Sequence, residues 1–253
     1  MKITFLGTGT SQGVPVIACN CEVCQSKDDK DQRLRVSILI EHHGKNVVID
    51  SGPDFRQQML RANVQQLDAV VFTHEHKDHI AGLDDVRAFN FKQKKDMDIY
   101  ASSQVQDAIK REFYYAFEPK KYPGVPLLKL HTVTDEVFNI GEVVLTPINV
   151  HHFKMPVKAY RIDNFTYITD ANKIDDIELE KIKGSEVIVL NALRKEPHLS
   201  HFTLDEAVAL LEKLQPKKAY LTHISHLLGK HREVQKELPD FIEIAYDGLT
   251  INL

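Results

Sequence analysis

The stretch FTHEHKDHIAGLDD, Phe72 to Asp85, constrains this chain more than any other, because a metal-ligand spacing begins where an apolar run stops. LDAVVF, Leu67 to Phe72, reads as a short strand buried on both faces. His74, His76, Asp78 and His79 follow it in the pattern H-x-H-x-D-H. A tight loop at a strand end lets alternate side chains converge, so one segment offers two ligands to one metal and two to a second nearby. Two divalent ions about 3.5 to 4 Å apart suit hydrolysis, since they share a hydroxide nucleophile and hold phosphoryl oxygens between them. Thirteen histidines in 253 residues would not carry this reading. Their spacing does.

Around the array, strands come both in hairpins and in βα units. MKITFLGTG predicts a buried strand that breaks at Gly7 and Gly9, and VSILIEHHGKNVVIDSG a hairpin turning near Gly44. DFRQQMLRANV and SSQVQDAIKREFYYAF have helical spacing. EVFNIGEVVLTPINV predicts a strand pair turning at Asn139 to Gly141, and AYRIDNFTYITD a hairpin tipped by Asp163-Asn164. EVIVLNAL and KAYLTHISH read as strands. Between them TLDEAVALLEKLQP carries a capping box, Thr203 with Glu206, and Pro216 marks its end. IAYDGLTINL predicts a closing hairpin over Asp247-Gly248. The sheet content is mixed, and two sheets with helices outside fit the order. Residues 1–253 contain no linker of Pro, Gly and Ser, so a single domain is expected.

All three cysteines fall in CNCEVC, Cys19 to Cys24. An odd number in so short a window makes a poor disulfide framework and reads as a metal site lacking one ligand. A net charge of −4 gives no global attraction to phosphate backbones. The basic runs KQKKD (Lys92 to Asp96) and PKKY (Pro119 to Tyr122) read as solvated faces, so nucleic acid is an unlikely partner. No stretch reaches the ~18 apolar residues of a membrane span, and MKITFLGTGTSQGVP is interrupted too early for a signal peptide. The chain is expected in the cytoplasm, with no membrane partner.

The H-x-H-x-D-H array resembles the signature of the metallo-β-lactamase superfamily, and the resemblance extends over nearly the whole chain. It implies an α/β fold: a four-layer αββα sandwich with two mixed β-sheets. It also implies the remaining ligands in chain order: His152 from VHHFKMP, Asp170 from YITDA and His223 from YLTHISH. By that likeness His74, His76 and His152 hold one metal, Asp78, His79 and His223 the other, and Asp170 bridges them. His151 competes with His152, since strand alternation turns only one of them inward; the H-F-K-x-P that follows favours His152. Asp50, ending VVIDSG, either orients a ligand histidine or caps a turn.

FLGTGTSQGVP, the C-x-C-x2-C cluster, EPHLSHFTLDEA and THISHLLGKH together resemble the PhnP-type phosphoribosyl cyclic phosphodiesterases, close to the RNase Z branch. The resemblance implies a structural zinc held by Cys19, Cys21, Cys24 and His226, a closed shell with no place for water. It places His201 over the metals as acid or phosphate holder, ahead of His198, and makes Asp78 the other catalytic residue. The Gly7, Gly9 and Gly13 loop is expected to let backbone approach substrate. The implied activity is hydrolysis of a small cyclic phosphate, phosphoribosyl 1,2-cyclic phosphate or a 2′,3′-cyclic nucleotide, by a metal-bridging hydroxide. The active-site metals are Zn, Mn or Fe, and the family habit implies a homodimer. A tRNA 3′-endonuclease of the RNase Z kind is the alternative.

Overall fold

Alternation along each strand decides what the two faces of a sheet meet. In β2 (Ser37–His42) Ile38 and Ile40 face one way and Leu39 the other; in β3 (Lys45–Ile49) Val47 and Ile49 oppose Val48. All six are buried, so both faces of this sheet are covered. The computed structural model describes residues 1 to 253 and pairs fourteen strands into two sheets of seven. The first runs β14 (Thr250–Asn252), β1 (Lys2–Gly7), β2, β3, β4 (Ala69–Val71), β5 (Met97–Ala101), β6 (Leu128–Thr132). The second runs β13 (Ile242–Ile244), β12 (Lys218–Thr222), β11 (Val187–Asn191), β10 (Phe165–Tyr167), β9 (Met155–Ile162), β8 (Val143–His152), β7 (Phe138–Ile140).

Three apolar layers hold four structural ones. Ile3, Phe5, Ile38 and Val71 from the first sheet meet Tyr160, Phe165, Tyr167 and Val189 from the second. Outside the first sheet pack α1 (Phe55–Arg61), α2 (Lys77–Ile80), α3 (Arg87–Gln93) and α4 (Ser103–Glu112). Outside the second pack α5 (Asp176–Ile182), α6 (Leu204–Leu214) and α7 (His231–Val234). The αββα order matches the expected fold, and no helix is long and apolar enough to cross a membrane. Thr203 caps α6 in the expected box with Glu206, and Gln215 ends it in a left-handed conformation before Pro216.

Each sheet has a parallel block, β3 to β6 and β10 to β13. Loops leaving the C-terminal ends of such strands collect at one end of the molecule, where α/β sheets place their sites. Asp50 follows β3, His74 follows β4, Asp170 follows β10 and His223 follows β12. The two basic runs lie at the other end: Lys92 to Asp96 precede β5, and Lys121 and Tyr122 line a small cavity there with Phe91.

Two expected turns are corrected. Ile140 pairs with Val143, so the β7–β8 turn is Gly141-Glu142, one step later than the sequence suggests. Asp247-Gly248 makes no hairpin: β13 runs parallel to β12, whereas β14 lies antiparallel to β1 in the other sheet. The Asp247 carboxylate is occupied elsewhere, accepting from the Thr8 hydroxyl at 2.8 Å and the Leu34 N–H at 2.8 Å. It therefore anchors a crossing between sheets.

Candidate metal centre

β4 ends at Val71, and the chain then turns from strand into the single turn α2, which carries Asp78 and His79. The loop lies close against its neighbours: a methyl group on Gly52 would run into the Asp78 carbonyl. Asp50 fixes the histidines from below. Its Oδ2 accepts from His79 Nδ1 at 2.7 Å and from the Thr73 hydroxyl at 2.8 Å, and its Oδ1 accepts the Thr73 N–H at 2.9 Å. With the Thr73 proton given to Asp50, Thr73 Oγ1 accepts from His74 Nδ1 at 3.0 Å. One buried carboxylate thus sets the tautomers of two histidines and turns both Nε2 atoms toward the other candidate ligands, His74 Nε2 lying 3.1 Å from His76 Nδ1.

The other expected residues arrive from the second sheet. His152, at the end of β8, donates from Nδ1 to the Ser200 carbonyl at 2.9 Å, and its ring centroid lies 5.1 Å from that of His76. His151 turns away and donates to Asp175 at 2.8 Å. Asp170 and His223 meet Asp78 and His79 so that one atom from each lies within 4.8 Å of the others. His201 stacks on His223 with centroids 4.7 Å apart, and its Nδ1 is 3.9 Å from Asp170 Oδ1. It joins His152 and Asp170 in a second convergent group, so it lies nearer the candidate ligands than a covering loop suggests.

The donor chemistry fits a cation. His79 Nε2 has no hydrogen-bond partner, yet it faces Asp78 at 3.2 Å and Asp170 at 3.3 Å. With Nδ1 carrying the proton, this sets a lone pair against two carboxylates, an arrangement that a positive ion between them relieves. A proton can take that ion's place: burial opposes charge on His79 and His223, but the carboxylates Asp78 and Asp170 outweigh it, holding His79 well above the usual range and His223 at about 9. Burial and then the His223 charge push His201 down to about 2.

Cys19, Cys21 and Cys24 converge on His226, with Sγ to Nδ1 distances of 3.3, 3.3 and 3.5 Å. The Cys24 N–H donates to Cys21 Sγ and holds that thiol down at about 6, toward the thiolate a metal needs. Three sulfurs and one nitrogen make a donor set that suits a closed tetrahedral metal site.

Residues 45–224 match the model of the beta-lactamase superfamily domain. A solved structure described as a new diphosphatase from the PhnP family is 39% identical and superposes with a TM-score of 0.94, covering 100% of this chain and 97% of that one. The chain belongs to the PhnP family of the beta-lactamase superfamily. An octanoyltransferase of Porphyromonas gingivalis is 38% identical to this PhnP-family chain over 98% of its length but only 51% of the relative's own. A ribonuclease Z of a Nostoc species is 27% identical over 74% of the chain and 52% of the relative. The chain spans about half the length of these curated relatives.

Sequence reasoning missed several features of this PhnP-family site. Thr73 carries the link from Asp50 to His74, and Ser200 and Asn172 hold the surrounding loops. Asp50, Asp170 and His223 have positive φ of 64°, 54° and 57°, a strained state for residues with side chains. The one available signal is that each ends an apolar strand run. Gly9 bridges to Arg35 and to Ile224, so protein backbone packs against it beside the residue that follows His223.

Proposed function

We propose that this chain is a dinuclear metal-dependent phosphodiesterase that opens a small cyclic phosphate to a monoester, with phosphoribosyl 1,2-cyclic phosphate or a 2′,3′-cyclic nucleotide as substrate. The observation that carries the reading is the convergence of imidazole nitrogens whose Nδ1 protons are fixed on Asp50, Thr73 and Ser200. In this reading His74, His76 and His152 hold one metal, Asp78, His79 and His223 the other, and Asp170 bridges. Zinc, manganese and iron all suit such ligands. Two such ions, when bound, neutralise phosphate oxygens and lower the pKa of water. The chain's residues do the rest. Asp50 keeps protons off the metal-facing nitrogens, Asp78 and Asp170 supply negative charge that localises the ions, and His201, once an anionic phosphate offsets the burial and the His223 charge that hold its pKa down, donates a proton to the leaving oxygen or holds the phosphate. Cys19, Cys21, Cys24 and His226 take a structural zinc. Their reduced thiols suit work in the cytoplasm.

The PhnP-family relative's being a diphosphatase supports hydrolysis at phosphorus. RNase Z-like cleavage of precursor tRNA is the second reading, favoured by the ribonuclease Z relatives. Against it stands the placement of both basic runs at the far end of the sheet from the metals. Octanoyl transfer through a thiol is disfavoured because all three thiols face His226. Steady-state rates of the metal-replete protein on ribose cyclic phosphate, 2′,3′-cyclic AMP, a linear diester and precursor tRNA test the proposal. Turnover of the cyclic substrates should exceed tRNA cleavage by orders of magnitude. Efficient, salt-sensitive tRNA processing would overturn it.

A further inference from the structure

Beside the candidate ligands His76 and His152 opens a cavity of about 340 Å³ whose far wall is the β8–β9 turn, Phe153-Lys154, and whose side is Leu199 and Ser200. This is the lower end of the range for small-molecule sites, ~300 to 1,000 Å³. It has room for a mononucleotide and little more. The wall is built rather than loose. Asn172 Oδ1 accepts the Phe153 N–H at 2.7 Å, its amide donates to the Leu199 carbonyl at 3.3 Å, and His152 donates to the Ser200 carbonyl.

Three properties of this wall are unexplained by the fold. Phe153 occupies a left-handed turn position, φ 57°, that ordinarily favours Asn or Gly, yet a large ring stands there and is 47% exposed. Leu199 is 67% exposed alongside it. Lys154 has no carboxylate partner, and its ammonium lies 5.3 Å from the Phe153 ring centroid. An exposed ring held in an unfavourable backbone state is a contact awaiting a ligand. A flat apolar face next to an unpaired cation matches a planar base carrying a second anionic group.

Building on the phosphodiesterase reading above, we propose that the substrate is a nucleotide, its base stacked between Phe153 and Leu199 and a phosphate other than the reacting one held by Lys154. A bare ribose cyclic phosphate leaves the aromatic wall unused.

The test uses the full chain with Phe153→Asn, which removes the ring while suiting the left-handed backbone, Phe153→Tyr, which keeps it, and Lys154→Met. Substrates are 2′,3′-cyclic AMP with and without a 5′-phosphate, and ribose cyclic phosphate as the base-free control; calorimetric binding of 3′-AMP and of adenosine 3′,5′-bisphosphate is measured in parallel. Phe153→Asn should raise KM for the nucleotides and weaken 3′-AMP binding by about 5- to 100-fold. It should leave kcat, the base-free control and thermal stability unimpaired. Phe153→Tyr should behave as wild type. Lys154→Met should weaken the 5′-phosphorylated ligands selectively and flatten their salt dependence. Equal effects of Phe153→Asn on base-containing and base-free substrates, or unchanged 3′-AMP affinity, would overturn the base site; unchanged affinity for the bisphosphate in Lys154→Met would overturn the phosphate site. If wild type hydrolyses no diester, the phosphodiesterase reading fails, and the binding titrations still decide whether a nucleotide uses this wall.

Discussion

At the scale of single residues, the proposed function separates atoms that would hold ions from atoms that would move protons. His76→Ala or Asp170→Ala should lose bound metal and diesterase activity together, read by elemental analysis and turnover, while the circular dichroism spectrum stays native, because both residues sit at loop positions beyond their strands. Full turnover with unchanged metal content would remove them from the ligand set. His201→Ala should keep both metals. Its turnover on a diester with a poor alkoxide leaving group should fall by about 10² to 10⁴-fold. If His201 acts as the acid, a p-nitrophenyl diester, whose leaving group needs little protonation, should lose far less; if it holds the phosphate, both substrates should suffer alike. Loss of a metal in this variant would instead make His201 a ligand, the outcome its place beside His152 and Asp170 makes worth testing. The ligand spacing from His74 to His79 was legible in the sequence because it is local. Thr73 was not, because its role arises from a chain of hydrogen bonds between Asp50 and His74 that no spacing records.

At the scale of elements, the reading succeeded wherever periodicity and turn chemistry agree, as in β2–β3, β9–β10 and the capped α6. It failed at Asp247-Gly248, where a good hairpin dipeptide is claimed by partners from Thr8 and Leu34 far away in the chain. Tertiary hydrogen bonds overrode a local signal. The same kind of long-range bond ties the two sheets beside the site: the Tyr160 hydroxyl, buried on β9, donates to the Phe72 carbonyl at 2.7 Å just before the histidine array. Tyr160→Phe leaves that carbonyl short of a partner and should cost about 1 to 3 kcal/mol of stability in urea unfolding. Because the bond aims the array's strand, metal affinity should fall as well. Unchanged metal affinity would show that β4 is positioned by its sheet neighbours alone.

At the scale of the whole molecule, residues near the start of the chain are stitched to residues near its end. Arg33, buried, donates to His231 Nδ1 at 3.2 Å and to the Ala245 carbonyl at 2.6 Å, and Asp31 accepts the His231 N–H at 2.7 Å. Burial and then the Arg33 charge push His231 down to about 4, below the ~6.5 of an unfolded chain. A depressed base binds protons less readily when folded, so its contribution is whole above about pH 6.5 and is lost as pH falls toward 4. Wild type should therefore lose about 2 kcal/mol more between pH 7 and 4.5 than His231→Gln, compared by urea midpoints at matched ionic strength. Parallel curves for the two proteins would dismiss the effect. The crossing of β14 back to the first sheet also has a consequence in time. β1 is made well before its outer partner: the strand that covers its outer edge lies almost 250 residues later in the chain. At ribosomal rates of about 5 to 20 residues per second, that edge waits roughly 10 to 50 s for its partner. During synthesis the chain thus presents an open strand, with Ile3 and Phe5 on its inner face, that a second nascent copy or a chaperone can reach before β14 does.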